Sequence, residues 1–335
     1  MTLPVRGPLS ATASALLRGE SAVQPTVEVD DALTDDDLHL ALFHCYEMHY
    51  RGLDGIDDAA EWDPRVLAFR AALERCFEDS LREAALVAPT SQPVDVQLRG
   101  LIDADTAPSV SSFLAREGTV ATYREFLMHR SAYHLKEADP HTFAIPRLRG
   151  RAKAAMVEIQ VDEYGGGDPR WMHSALFARA MRELDLSTEE GAYVDRLPGV
   201  TLATVNLMSL FGLHRRLRGA AVGHLAVFEM TSCIPNRRYG DGLRRLGFGE
   251  DATRYFDEHV EADAAHGAIA ANDMAGTLVE DEPALLHDVL FGATALLVLE
   301  RRWAEHVLPA WRSGRDALWS GPLQHTMHDV PAAVA

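Results

Sequence analysis

The stretch that decides the fold is "YFDEHVEADAAHG", residues 255–267, which holds His259, Asp263 and His266. At about 100° per residue, position i+4 lies about 40° from i on a helix, and i+7 about 20° to the other side. The three side chains therefore leave a helix on one face, and Glu258 and Glu261 are left to solvent. Two imidazoles and a carboxylate on one face are a natural ligand set for non-haem iron. The rival reading is a solvated acidic helix with incidental histidines. A single helix cannot enclose a metal, so facing helices must add donors.

Candidates for those donors are spread along the chain. Glu229 sits in "GHLAVFEMTS" (223–232), an otherwise apolar helix. A carboxylate is costly to bury alone, so it wants a cation. An arginine of "RRLRG" (215–219) is the alternative partner. Glu163 ends one helix in "EIQVDEYGGGDPRWMH" and His173 begins the next, across a glycine break. Glu137, in "YHLKEADPH", ends its helix just before Pro140. Glu158 rivals Glu163 as the donor on its helix. Four carboxylates and three imidazoles are too many for one iron and suit two. Ferritin-like di-iron bundles use Glu-x-x-His motifs. This chain has none, and offers an Asp-x-x-His at Asp263 and His266 instead. A different helical bundle is implied.

The rest of the chain agrees. Helical periodicity runs through nearly all of its 335 residues and strand signals are almost absent, so the fold class is all-α. No repeat, dinucleotide fingerprint, P-loop or nucleophile elbow occurs. Apolar residues make up 47% of the sequence, ample for a core, and the net charge is −18. An acidic chain without basic, aromatic-interleaved runs argues against nucleic acid and anionic membranes as partners. The longest apolar runs, such as "FGATALLVL" (291–299), fall short of a membrane span. Cys45, Cys76 and Cys233 form no CxxC, which fits a reducing cytoplasm. The N-terminus lacks a proper signal-peptide core, so residues 1–30 are expected to be a flexible arm. The stretch "PTSQPVD" (89–95) is the best internal linker. The expected organisation is a helical extension over 31–88, a di-iron domain over 95–315 and a tail over 316–335. His325 and His328 are read as tail residues.

The motifs "DEYGGGDPRWMHSALF" (162–177), "GHLAVFEMTS" (223–232) and "YFDEHVEADAAH" (255–266) resemble those of the haem-oxygenase-like di-iron oxidases and oxygenases. The resemblance covers roughly 95–315, and the preceding segment looks like an N-terminal helical extension seen in part of that family. It is nearest to the N-oxygenase branch, which serves natural-product and antibiotic biosynthesis. It implies a helical bundle that binds two irons, Fe(II) or Fe(III), with Glu137, Glu163, His173, Glu229, His259, Asp263 and His266 as ligands. It also implies activation of O2 through a peroxo-di-iron intermediate, to oxidise an amine, guanidine or amino-azole nitrogen. Conversion of 2-aminoimidazole to 2-nitroimidazole is one example. An external electron donor is expected. The helix carrying Glu163 is expected to rearrange as the second iron loads, and its glycine-rich end can unwind at little steric cost. Asp162, Glu158 and Tyr164 are candidates for orienting the imidazoles. Some branch members continue into a cupin domain that makes an N-nitroso product. No such domain follows here, so that second reaction is not expected. The extension suggests a homodimer. Desaturation or C–C cleavage of a fatty acid or amino acid is the alternative enzymatic reading, and a helical binding protein is the non-enzymatic one.

Overall fold

A computed structural model describes residues 3–322, apart from the side chains of Asp263 and Ala264. The expected tail residues His325 and His328 lie outside the described part. All regular structure among the described residues is helical. In chain order the α-helices are α1 (Pro8–Leu17), α2 (Asp36–Glu47), α3 (Pro64–Ala84), α4 (Val94–Ala104), α5 (Val110–Arg116), α6 (Val120–His134), α7 (Asp139–Thr142), α8 (Gly150–Glu163), α9 (His173–Glu183), α10 (Gly199–Leu213), α11 (Arg218–Arg245), α12 (Glu250–Ala268), α13 (Thr277–Asp281) and α14 (Leu286–Arg312).

Helix α11 is the axis of the bundle. It packs against α12 on one side and α14 on the other, with α5 and α10 also in contact. Two glycines let α11 and α14 approach closely. A Cβ on Gly223 would lie 1.8 Å from the Val289 carbonyl oxygen, and one on Gly292 would lie 2.0 Å from that of Ala220. Either would force the helices apart. Helix α12 runs straight into a π-helical stretch, Ile269–Gly276, and α8 packs on that stretch. These contacts bring the helices carrying Glu163, Glu229 and His259 together.

The N-terminal region departs from expectation. Residues 8–17 form α1, not a flexible arm, with Leu9, Ala13, Leu16 and Leu17 buried. Two amides of its first turn are satisfied from a distance. Asp37 accepts hydrogen bonds from Leu9 N–H at 2.8 Å and Ser10 N–H at 2.9 Å. The extension does not stand apart either. Phe69, Leu73, Phe77 and Leu81 of α3 share one apolar cluster with α8, α10, α11 and α14. Helix α14, which contains "FGATALLVL", is with its preceding turn long and apolar enough to cross a membrane by length and composition. Here its apolar face is buried against α11.

Candidate metal centre

The glycine break ends α8 as its sequence predicts. Gly165, Gly166 and Gly167 take φ values of 65°, 61° and 87°, the left-handed region that glycine tolerates. A Cβ on Gly165 would lie 2.5 Å from Met172 N. This tight reversal sets Glu163, the last residue of α8, beside His173, the first of α9. His173 Nδ1 lies 2.9 Å from Glu163 Oε2.

Two donor groups meet at Glu163. Glu137, Glu163, His173 and His259 offer ligand atoms all within 4.8 Å of one another, and so do Glu163, Glu229 and His266. All six residues are buried. Helices α8, α9, α11 and α12 each contribute, together with the loop after α6. Asp263 lies within α12, between His259 and His266, and its side chain is outside the description.

Hydrogen bonds orient these side chains. The Nδ1–H of His259 can donate to the Tyr255 carbonyl at 2.8 Å, which leaves Nε2 facing Glu137 Oε1 at 3.5 Å. His266 turns Nε2 to Asp162 Oδ2 at 2.9 Å and Nδ1 toward Glu229 Oε2 at 3.6 Å. Tyr255 O–H donates to Glu137 Oε1 at 2.6 Å, and His134 Nδ1 reaches the same oxygen at 2.7 Å. Oε1 is thereby occupied. Oε2 of Glu137, Oε2 of Glu163 and Nδ1 of His173 are buried without any hydrogen-bond partner. The last two face each other outside hydrogen-bonding geometry, as atoms aimed at a common third body would.

Electrostatics favour the ionised acid. Burial opposes ionisation of Glu137, but the imidazoles of His134 and His259 outweigh it and hold its carboxyl well below the usual range. Burial likewise lowers His173, and the neighbouring Glu163 overcomes it and raises the net value. Behind the cluster, burial pushes His141 down to about 4; its Nε2 lies 3.1 Å from Nδ1 of His224.

The other sequence candidates fall into place. Glu158 is exposed. Tyr164 donates to Asp139 Oδ1 at 2.8 Å and tethers the end of α8 to α7, away from the imidazoles. Glu258 pairs with Arg254 at 2.9 Å, and Glu261 is exposed. Of the three arginines in "RRLRG", Arg216 is engaged with Glu78 and Arg218 with Glu282. Sequence reasoning missed Tyr255 and His134. Both were within reach of the same-face rule, since Tyr255 stands four residues before His259 and His134 three before Glu137.

A cavity of about 250 Å³ borders the cluster at Glu137 and His259. Phe126, Phe177, Phe228, Tyr239 and Phe256 form its walls. Its polar lining includes Asn236, Asp105 and the Arg130–Glu300 pair, bonded at 2.8 and 2.6 Å. The donor set, carboxylates and imidazoles with unpartnered buried atoms, fits first-row metals such as iron.

A family model for iron-containing redox enzymes matches residues 124–301, a range that takes in the whole cluster. The chain belongs to that family. It is an iron-containing oxidoreductase with the all-α, haem-oxygenase-like architecture that its sequence implies. A nitrosourea synthase from Streptomyces achromogenes subsp. streptozoticus is 28% identical over 195 residues, which are 57% of this chain and 41% of that protein. The chain thus matches about two fifths of that relative's length.

Proposed function

We propose that the protein is a di-iron, O2-dependent N-oxygenase acting on a small nitrogen-containing substrate in natural-product biosynthesis. The observation that carries this reading is Glu163, whose carboxylate belongs to both donor groups. A carboxylate shared in this way can bridge two metals. In the proposed assignment, Glu137, His173 and His259 serve one iron, and Glu229, His266 and Asp263 the other. The irons supply the reducing power and Lewis acidity for O2 chemistry.

The chain's own residues do the rest. Tyr255 and His134 hold Oε1 of Glu137, so Oε2 is the oxygen left to bind. The Tyr255 carbonyl and Asp162 fix the ring orientations of His259 and His266. The aromatic walls exclude water and offer π faces to a flat or cationic nitrogen group. Insertion of one oxygen into an N–H bond sends the other oxygen atom to water, and needs two electrons and two protons from an external donor. The alternative, desaturation or cleavage of a fatty acid, asks for an apolar tunnel. The charged pair Arg130–Glu300 in the cavity wall favours a polar substrate instead.

The test loads the apoprotein with Fe(II) under anaerobic conditions, counts metal per chain, then adds O2, reductant and a panel of guanidines, amino-azoles and fatty acids. Two irons and an N-hydroxylated or nitro product are expected. Fewer than one iron per chain, or products from the fatty acids alone, would sink the reading.

A further inference from the structure

Of the cavities that touch the donor cluster, two approach it through linings that share only Glu137. One is the aromatic cavity described above. The other is a chamber of about 20 Å³ touching Glu137, Glu163 and Asp139. A water molecule needs about 10–15 Å³ of such space. The chamber therefore admits a water or a bare ion and no organic substrate. It gives onto a surface basin of about 460 Å³, and Arg51, Leu135, Met172 and Ser174 line both.

The basin is acidic. Glu47, Asp54, Glu189 and Glu190 line it. The Lys136 ammonium neutralises Glu47. Arg51 lies at the junction of basin and chamber, 70% exposed, with Nη1 2.6 Å from Glu190 Oε1. At the chamber's inner end stand Glu137 and Glu163, each more than nine-tenths buried, with Oε2 unpartnered.

We infer that the basin and chamber are the loading route for divalent metal ions, separate from the aromatic cavity, with the Arg51–Glu190 ion pair as its gate. The inference rests on the metal-centre reading above. Clefts lined by one sign of charge focus the field and raise the local concentration of the opposite ion. An exposed ion pair such as Arg51–Glu190 opens readily. The narrow chamber then passes a desolvated cation to buried carboxylates whose Oε2 atoms have no hydrogen-bond partner.

The experiment follows Co(II) uptake by the apoprotein in stopped-flow absorbance at low salt, alongside an equilibrium titration. The double variant Asp54→Asn/Glu189→Gln, which leaves the gate intact, should take up Co(II) at least about threefold more slowly, with a weaker salt dependence. Arg51→Ala should accelerate uptake. Final stoichiometry should stay at the wild-type value in both, since neither set contains a proposed ligand. Asn236→Trp, in the aromatic cavity, should leave uptake unchanged. Equal rates in all basin variants, or a slowdown confined to Asn236→Trp, would overturn the route. Failure of the wild-type protein to bind Co(II) at equilibrium would overturn the metal centre itself, and the route with it.

Discussion

Glu78 and Glu163 are both buried carboxylates, 7% and 8% exposed, and the chain treats them in opposite ways. Glu78, on α3, accepts hydrogen bonds from Arg82 at 3.0 and 2.8 Å and from Arg216 at 2.8 and 2.5 Å. Burial works against its ionisation, but these two guanidinium groups outweigh it and hold its carboxyl below the usual range. Even Glu74, one turn earlier, has Arg70 Nε at 3.1 Å. Glu163 has no hydrogen-bonded partner at Oε2, only the imidazole of His173 nearby. An arginine is a permanent cation and makes a fixed joint, here tying the N-terminal extension to the turn before α11. A carboxylate left without one is expensive in a buried site. The cost is relieved when a cation arrives from outside. At the centre the chain thus sets imidazoles, and not arginines, beside its buried carboxylates.

That contrast can be broken at its strongest point first. His259→Ala removes a proposed ligand. Metal affinity should fall by more than the roughly 10–100-fold that loss of a supporting hydrogen bond costs. Isothermal titration with Co(II) measures it, and an unchanged affinity would undo the assignment. Glu78→Ala should act on the fold and not on the centre. It should lower unfolding free energy by about 2 kcal/mol, because charged hydrogen bonds are lost while both arginines remain partly solvated. Metal stoichiometry should not change. The effect carries a pH signature. A carboxylate with a depressed folded value contributes stability above its unfolded pKa of about 4.3, and loses it as pH falls through the folded value. Urea titrations should therefore show the gap between wild type and Glu78→Ala constant near neutrality and closing below about pH 4.

Asp162→Asn sharpens the contrast from the side of orientation. Its carboxylate is 56% exposed, so the loss of its bond to His266 should weaken metal binding only about tenfold. A larger loss would make Asp162 a ligand. Glu158→Gln, four residues earlier on an exposed face, should stay within about 0.5 kcal/mol in stability and leave metal binding unchanged.

Legibility in the sequence varied with how local the cause was. The face shared by His259 and His266 follows from helical spacing alone, and both side chains are buried, one beside Glu137 of the loop after α6 and the other beside Glu229 of α11. The end of α8 follows from three glycines in a row. Sequence left Glu158 and Glu163 as rivals, because five residues on a helix separate faces by angle without saying which face the core covers. The N-terminal helix was invisible for a clearer reason. Its local start signals are slight, Pro8 at the first position and a Ser10 hydroxyl that accepts from Gly7 N–H, and the acceptor for the amides of Leu9 and Ser10 is Asp37, far away on α2. The apolar residues of α1 are too few to reveal a face until α2 covers them.

By itself, then, the sequence determined an all-α chain, the direction in which its histidines project and the residue types fit for iron. Those are matters of helical period and side-chain chemistry, settled within a few turns of chain. The tertiary structure alone decided that Glu163 stands between two donor groups and that Arg216 and Arg218 are spent on Glu78 and Glu282 instead of Glu229. Counter-charge depends on distance in space, and residues far apart in the chain become neighbours only when α8, α11 and α12 pack.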